Sequence, residues 1–286
     1  MAIDKLQNEI RRLKNPSMIA FDLDKTLIPP SFLETATGVS KAYLLYAKVV
    51  LTALKDIVAA VRFGFGTYAA MGIEGLEVLK SLLNFSAELG YYVLLDAPES
   101  YSPQTSAHLA EVLPETWTFH GLLLSCYLGS DGIDPFVGWL KDTEYDLFLA
   151  LRTANRSAPQ IQELLTGTRL VYTVAADMAK RLGQEYITRC GYSRIAGVGP
   201  ATSAESLRNL RSKYPAMFLL IDGYDYSGAN AKNCSAAFDG LGHGAIACGG
   251  ESILGAWKQE DGDPVALAVQ AAERMKKNLT RYVTVL

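Results

Sequence analysis

Short apolar runs in this sequence end repeatedly in acidic residues, and these acids are the side chains best placed to carry chemistry. Residues 91–95 form such a run, which ends at Asp96 and breaks at Pro98. Asp22 and Asp222 end two other runs of the same kind. In α/β proteins the carboxyl ends of buried parallel strands are where binding and catalytic groups gather. We therefore expect a functional site built from strand-end side chains.

Six carboxylates in total fall at predicted strand ends: Asp22, Asp96, Glu99, Asp222, Asp225 and Glu251. Converging carboxylates without cations would bind a divalent metal or a cationic ligand, or would have raised pKa values. The alternative is that several of them point to solvent or pair with the cations Lys25, Arg62 and Arg152. We expect this alternative to hold for at least half of the six.

The apolar runs predict eight short strands, at residues 18–23, 57–62, 91–96, 121–125, 145–151, 194–198, 217–221 and 244–248. Helical patterns separate nearly every pair of strands, and a short amphipathic helix at Asp4–Leu13 precedes the first. Parallel strands need helical crossovers, and eight such units can close into a barrel. Because no linker, low-complexity tract or charge run divides the chain, we predict an α/β fold: a single (β/α)8 TIM-barrel domain over residues 1–286.

The composition excludes several classes of function. The 286 residues carry a net charge of −3 without a basic block, so the sequence has no electrostatic footprint for nucleic acid. The N-terminus lacks the apolar core of a signal peptide, and no apolar stretch is long enough to span a membrane. Four scattered cysteines are typical of reduced thiols, and three scattered histidines do not predict a histidine-built metal site. We expect a cytoplasmic protein without a cofactor.

One motif supports a different interpretation. Residues 21–28 read F-D-L-D-K-T-L-I, a D-x-D-x-T after a buried strand, which resembles the nucleophile motif of haloacid-dehalogenase-type phosphatases. In such an enzyme Asp22 would attack phosphorus, Asp24 would act as acid and base, and Mg²⁺ would neutralise charge. Asp222 and Asp225 match the late acidic pair of these enzymes only loosely, and no helical cap segment is evident. The phosphatase is therefore an alternative hypothesis.

Four segments of the C-terminal half carry a second resemblance. They read G-V-G-P-A-T at 197–202, D-G-Y-D-Y-S-G-A at 222–229, A-A-F-D-G-L-G-H-G-A-I at 236–246 and G-G-E-S-I-L-G-A-W at 249–257. This order resembles the bacterial long-chain type of orotidine 5′-phosphate decarboxylase, and the resemblance covers residues 5–282. It implies a TIM barrel, the conversion of orotidine monophosphate to UMP and CO₂ in pyrimidine biosynthesis, and a homodimer formed through the top face of the barrel.

The resemblance also implies which positions contact the nucleotide. Asp22 falls where the family has an acid at the ribose, and R-T-A-N at 152–155 matches the K-T-S-N segment near the pyrimidine. The loop after strand four and the last two strand-end loops supply the other positions. The implied ligand-binding residues are Asp22, Ser125, Thr153, Asn155, Gly223, Ser227, Gly228, Gly250 and Glu251.

The catalytic signature is where the sequence departs from the family. The family pattern D-A-K-R-G-D after strand three reads D-A-P-E-S-Y at residues 96–101. Pro98 stands at the position of the lysine that protonates the substrate carbon, and a proline cannot donate a proton. Tyr101 replaces a second aspartate, and Arg62 replaces the strand-two lysine, keeping its charge but not its shape. Asp96 and Arg62 are therefore expected to be remnants of a catalytic site.

The phosphate-binding loops also differ from the family pattern at positions that contact the ligand. Glu251 replaces the arginine with which the family grips the phosphate, and Ser227 replaces a ligand-contacting glutamine. A carboxylate beside a phosphate dianion is repulsive, strongly so where water is excluded. We therefore predict a pseudoenzyme or diverged small-molecule binder. It would be a lyase by resemblance but inactive on orotidine monophosphate, would bind a nucleotide-like molecule, and would pair with itself or a paralogue.

Two further alternatives remain open. The chain could be a diverged TIM-barrel enzyme with an acidic site at the strand ends, where the carboxylates would be able to bind a metal. The family activity could also persist if Arg62 or Lys25 substituted for the missing lysine.

Overall fold

The computed structural model describes residues 2–142 and 144–286, and its centre is a closed barrel of eight parallel strands. The described residues form ten strands, of which all but β6 and β7 belong to the barrel. They are β1 Ser17–Ala20, β2 Ala60–Gly64, β3 Tyr92–Asp96, β4 Gly121–Ser125, β5 Asp146–Ala150, β6 Leu165–Thr166, β7 Arg169–Leu170, β8 Ser193–Pro200, β9 Met217–Asp222 and β10 Ala245–Gly249. Around the barrel the order is β1-β10-β9-β8-β5-β4-β3-β2, and β2 pairs with β1 to close it. The predicted TIM barrel is confirmed. The short hairpin β6–β7, which the sequence did not predict, lies outside the barrel sheet.

Helices connect the strands along the chain. They are α1 Ala2–Leu13, α2 Pro30–Thr35, α3 Val39–Leu54, α4 Phe65–Ala69, α5 Gly72–Glu88, α6 Pro103–Thr116, α7 Asp134–Val137, α8 Trp139–Asp142, α9 Pro159–Gln162, α10 Val171–Gly183, α11 Ala204–Lys213, α12 Ala231–Ser235, α13 Glu251–Leu254 and α14 Pro264–Thr280. Three 3₁₀ turns lie at Lys25–Leu27, Ser130–Gly132 and Ala256–Lys258. None of the described helices is long and apolar enough to cross a membrane.

The barrel strands are short and apolar because both of their faces are buried. In β3, Tyr92 to Leu95 are all buried, with side chains alternating between the barrel interior and the surrounding helices. Helix α1 covers the amino end of the barrel, where Ile3, Leu6 and Ile10 are fully buried. The amino end of the barrel is thus closed. The carboxyl ends of the strands, which we call the mouth, remain open for a site.

Helix α6, which the sequence analysis does not predict, contains a proline at residue 114. Ser102 caps its first turn by accepting a hydrogen bond from the amide of Thr105 at 3.1 Å. Pro114 removes the amide that would bond to the carbonyl of Ala110, one turn earlier. That carbonyl accepts a hydrogen bond from the indole of Trp139 at 3.1 Å, so the helix passes the proline without a buried unpaired oxygen.

A buried ion pair fastens three strands at the amino end of the barrel. Asp146 on β5 accepts hydrogen bonds from Arg194 Nε on β8 and from the Tyr92 hydroxyl on β3, each at 3.1 Å. Arg194 also donates to the carbonyls of Leu140, at 2.7 Å, and Tyr145. Asp146 is completely buried, and this burial raises its pKa to about 7 although Arg194 acts in the opposite direction.

Candidate functional site

A cavity of about 610 Å³ opens at the mouth, at the ends of β1, β2, β9 and β10. Its charged lining consists of five carboxylates and two cations: Asp22, Asp24, Asp222, Asp225 and Glu251 against Lys25 and Arg62. The lining therefore has a formal excess of three negative charges. Such an excess favours cations and disfavours phosphates.

Arg62 crosses the mouth and binds two of the strand-end acids. Its Nε lies 2.9 and 3.0 Å from the two carboxylate oxygens of Asp96, and its Nη2 lies 2.5 Å from one of them. Its Nη1 lies 2.6 Å from Asp222 Oδ1. The three side chains are 15%, 22% and 26% exposed, respectively, so the pairs are largely desolvated. The central cation of the mouth is thus held by the chain's own acids.

Strand register explains why Arg62 meets Asp96. Arg62 on β2 pairs with Leu94 on β3, and Gly64 pairs with Asp96. Side chains two residues apart on a strand share a face, so Leu94 and Asp96 point the same way. The long arginine side chain reaches diagonally along that face to the acid. Asp222, the last residue of β9, lies on the other side of the mouth.

Asp22 lies near this ion pair and bonds to the backbone. Its Oδ1 accepts a hydrogen bond from the amide of Gly64 at 3.0 Å. A Cβ at residue 64 would lie 2.6 Å from that oxygen, so only glycine permits the contact. Burial raises the pKa of Asp22; Arg62 opposes the shift and Asp96 adds to it. Asp22 is accordingly an acid that protonates more readily than an ordinary aspartate.

The second acid of the D-x-D-x-T motif has a local role. Asp24 accepts a hydrogen bond from the amide of Thr26 at 2.7 Å and caps the 3₁₀ turn that follows β1. Asp22 thus bonds to the backbone of β2, and Asp24 caps the turn that follows β1. Among residues 2–142 and 144–286, no three His, Cys, Asp or Glu side chains are grouped so that they could hold a metal ion.

Asp225 fastens the loop after β9 to the end of β10. Its Oδ2 accepts a hydrogen bond from the amide of Gly250 at 2.6 Å, and the Ser252 hydroxyl donates to its Oδ1. Glu251, between these two donors, is exposed at the rim of the cavity. The donors at the end of β10 are thus occupied by a carboxylate of the chain itself.

The loop after β3 lies outside this lining. Pro98 is partly buried, whereas Tyr101 is 82% exposed and its hydroxyl donates a hydrogen bond to Glu99. Asp96 is therefore a member of the ion pair at the mouth, whereas Pro98 and Tyr101 are not.

The remaining predicted ligand positions lie apart from Asp22. Ser125 and Thr153 line a different cavity, of about 790 Å³, beside β4, β5 and α10. The Thr153 hydroxyl lies 2.5 Å from Asn155 Oδ1, and the Asn155 amide donates to Ser157 at 3.1 Å. Ser227 and Gly228 line a third, outer cavity. Of the nine predicted ligand positions, Asp22, Gly250 and Glu251 line the mouth cavity.

Two residues at the mouth were not predicted from the sequence. Cys248 on β10 is 2% exposed, and burial raises the pKa of its thiol. Thr67 accepts a hydrogen bond from the amide of Leu23 at 3.2 Å and also lines the cavity. Cys248 could have been identified, because it lies on β10 two residues before Gly250, which follows the end of the strand. Thr67 had no signal, because it belongs to the short helix α4.

Comparisons with known sequences and with solved structures give the same enzyme name. No family model matches the chain. An orotidine 5′-phosphate decarboxylase of Clostridium novyi is 27% identical over 266 residues, covering 92% of each chain. One from Clostridium botulinum is 29% identical over 263 residues, covering 91% of this chain and 92% of the relative.

The fold comparison gives the same family name. The orotidine 5′-monophosphate decarboxylase of Plasmodium berghei superposes with a TM-score of 0.79 at 14% identity, over 98% of both chains. The decarboxylase of Leishmania donovani superposes with a TM-score of 0.75 at 21% identity, over 97% of this chain and 98% of that one. At these identities the structures show a shared fold. The chain thus resembles the orotidine 5′-phosphate decarboxylases in sequence along nine tenths of its length, and it has their TIM-barrel fold.

Proposed function

We propose that this chain is an orotidine 5′-phosphate decarboxylase-like protein that does not decarboxylate orotidine monophosphate. The observation that carries the proposal is the double ion pair of Arg62 with Asp96 and Asp222. A cation used in this way is not available to an incoming carboxylate or phosphate. The chain would be a pseudoenzyme that keeps the barrel of its relatives.

The chemistry of the reaction explains why this arrangement is unsuitable. Loss of CO₂ leaves a carbanion, which needs a nearby cation that can also donate a proton. Against the desolvation that burial imposes, Asp96 and Asp222 raise the pKa of Arg62 well above its usual value. A guanidinium held in this way does not release a proton, and Pro98 has none to give.

The phosphate group would also lack a partner. Glu251 lies at the rim of the cavity, and Asp225 occupies the donors at the end of β10. Two like charges 4 Å apart at a protein surface repel each other by about 4 kcal/mol. UMP is therefore not expected to bind at the mouth.

A second candidate function is favoured by the charge of the lining. Five carboxylates against two cations suit a small organic cation, such as a diamine, better than a nucleotide. A diverged enzyme or a binding protein for such a molecule would use the same cavity. This candidate and a pseudoenzyme without a ligand would have the same fold and would differ only in whether a small organic cation binds in the cavity.

The melting temperature of the purified chain with UMP or with putrescine tests both candidates. UMP at millimolar concentration should shift it by less than about 1 °C, whereas a bound diamine would raise it by about 2 °C or more. The Glu251→Arg variant is the matched control, since it should gain a shift with UMP and lose any shift with putrescine. A clear shift of the unmodified chain with UMP, and none with uridine, would contradict the proposal.

We also propose that the chain pairs with itself or with a paralogue. Two large aromatic side chains on the strand-end loops of the mouth are largely exposed, Tyr101 at 82% and Tyr127 at 85%. Exposed aromatic groups are enriched where proteins associate. A purified chain that sediments only as a monomer, and captures no decarboxylase-like partner, would contradict this pairing.

A further inference from the structure

A cleft on the outside of the barrel, which we call the outer groove, lies between the loop after β9, helix α12 and the carboxyl half of helix α14. Two cavities of about 510 and 530 Å³ lie along it and share the lining residues Tyr224, Ala229 and Asn278. Asp225 and Tyr226 line both the outer groove and the mouth cavity, so the loop after β9 separates the two. The outer groove is therefore a neighbour of the mouth with a lining of its own.

The charged side chains of the outer groove are mainly cations. Lys232 and Arg281 line one of its cavities, and Arg274 lines the other. Among the described residues that line the groove, the acid is Asp225, which already accepts two hydrogen bonds from donors at the end of β10. The whole chain has a net charge of −3, so the groove differs in sign from the protein around it. Such a patch attracts anionic groups.

Helix α14 presents its two arginines of the groove on one face. Arg274, Asn278 and Arg281 follow one another at intervals of four and three residues, which places their side chains on the same side of the helix. At a rise of about 1.5 Å per residue, the two arginines lie about 10 Å apart along the helix axis. Acids three residues apart in an extended peptide are also about 10 Å apart. The groove therefore suits an extended chain with several acids better than a small anion.

One of these arginines already binds an acidic segment of the chain itself. Glu260 belongs to an exposed segment, residues 259–263, that also contains Asp261 and Asp263, and its carboxylate lies 3.0 Å from Arg274. Lys232 and Arg281 are exposed, and among residues 2–142 and 144–286 no ion pair is found for either of them. These two cations are therefore available to a second acidic segment.

Exposed aromatic rings lie beside the cations. Tyr226 is 52% exposed and Tyr282 is 54% exposed, and each lines one of the two cavities. Tyrosine and arginine are enriched where proteins associate. We propose that the outer groove docks an extended acidic segment of a partner protein, which pairs with Lys232 and Arg281 and packs on the two tyrosines. The inference goes beyond the proposed function, because neither cation lines the mouth cavity.

Fluorescence anisotropy of the full chain with a labelled octapeptide of sequence E-E-L-E-E-L-E-E tests the docking. The Lys232→Glu/Arg281→Glu variant should bind the peptide at least about tenfold more weakly, because two attractive charges become repulsive. The matched control is Lys80→Glu/Lys180→Glu, which makes the same change in net charge at exposed positions on α5 and α10. Its affinity should stay within about twofold of that of the unmodified chain, because salt screens distant charges.

The docking is supported if only the groove variant loses affinity and if the counterpart peptide with glutamine for glutamate binds at least about tenfold more weakly. It is overturned if the unmodified chain does not bind the acidic peptide, if the glutamine peptide binds equally well, or if both double variants lose affinity equally. Displacement of the peptide by a thymidine oligonucleotide of the same length, at a lower concentration than unlabelled peptide requires, would also overturn it. The groove would then be a site for nucleic acid.

Discussion

Replacement of Arg62 by methionine should lower the free energy of unfolding by about 3 kcal/mol at pH 7. Methionine fills a similar volume but leaves Asp96 and Asp222 beside each other in a largely desolvated site, with Asp22 close by. Removal of one partner of a buried ion pair is costly because the remaining charges stay uncompensated. Urea unfolding of the variant and the unmodified chain measures the loss.

The loss should become smaller as the pH is lowered. Burial raises the pKa of Asp22 and Arg62 opposes this shift, so removal of Arg62 should raise that pKa further. The stability contributed by a carboxyl with a raised folded-state pKa is present below its unfolded value, near pH 4, and is lost as the pH rises through the folded value. The triple variant Arg62→Met/Asp96→Asn/Asp222→Asn should recover most of the stability at pH 7. Arg169→Met, which breaks a largely exposed pair with Asp177, should cost less than about 1 kcal/mol. If Arg62→Met lowers the free energy of unfolding by no more than Arg169→Met does, the ion pair of Arg62 does not stabilise the fold as predicted.

Replacement of Arg194 by methionine should cost about 3 to 5 kcal/mol at pH 8. Asp146 is completely buried and would lose its cation, and the carbonyls of Leu140 and Tyr145 would lose their donors. Burial raises the pKa of Asp146 to about 7 even with Arg194 in place, so below that pH the acid can take up a proton instead.

The sign of the pH dependence follows from this raised pKa. A raised folded-state pKa contributes stability that is present below the unfolded value, about pH 4, and is lost as the pH rises through about 7. Arg194→Met should therefore be less damaging at pH 5 than at pH 8, when each is compared with the unmodified chain by urea unfolding. The double variant Arg194→Met/Asp146→Asn should lose this difference. An equal loss at both pH values in the single variant would show that Asp146 does not titrate in this range.

The barrel is predictable from the sequence because its strands are apolar, short and regularly separated by helices. The sequence also predicts that strand-end acids pair with Arg62, and both Asp96 and Asp222 form such pairs. The sequence does not predict that Asp222 is one of the partners, because Asp222 lies 160 residues away along the chain and meets Arg62 only once the barrel closes. Side-chain reach across a mouth depends on strand register, which the sequence does not specify.

The predicted ligand positions are distributed over more than one cavity. Ser125 and Thr153 line a cavity separate from that of Asp22, although all three lie near strand ends. A strand end fixes which face of the barrel a residue reaches, but the loop that follows decides where its side chain points. Asp225 illustrates this, because its bonds to Gly250 and Ser252 depend on the conformation of two loops.

Turnover of orotidine monophosphate by the purified chain tests the central claim most directly. The protein should be prepared from a host without its own decarboxylase, and the Clostridium botulinum relative should be assayed in parallel as a positive control. We expect no formation of UMP above a buffer blank. Conversion at an ordinary enzymatic rate, about one turnover per second or faster, would contradict the account.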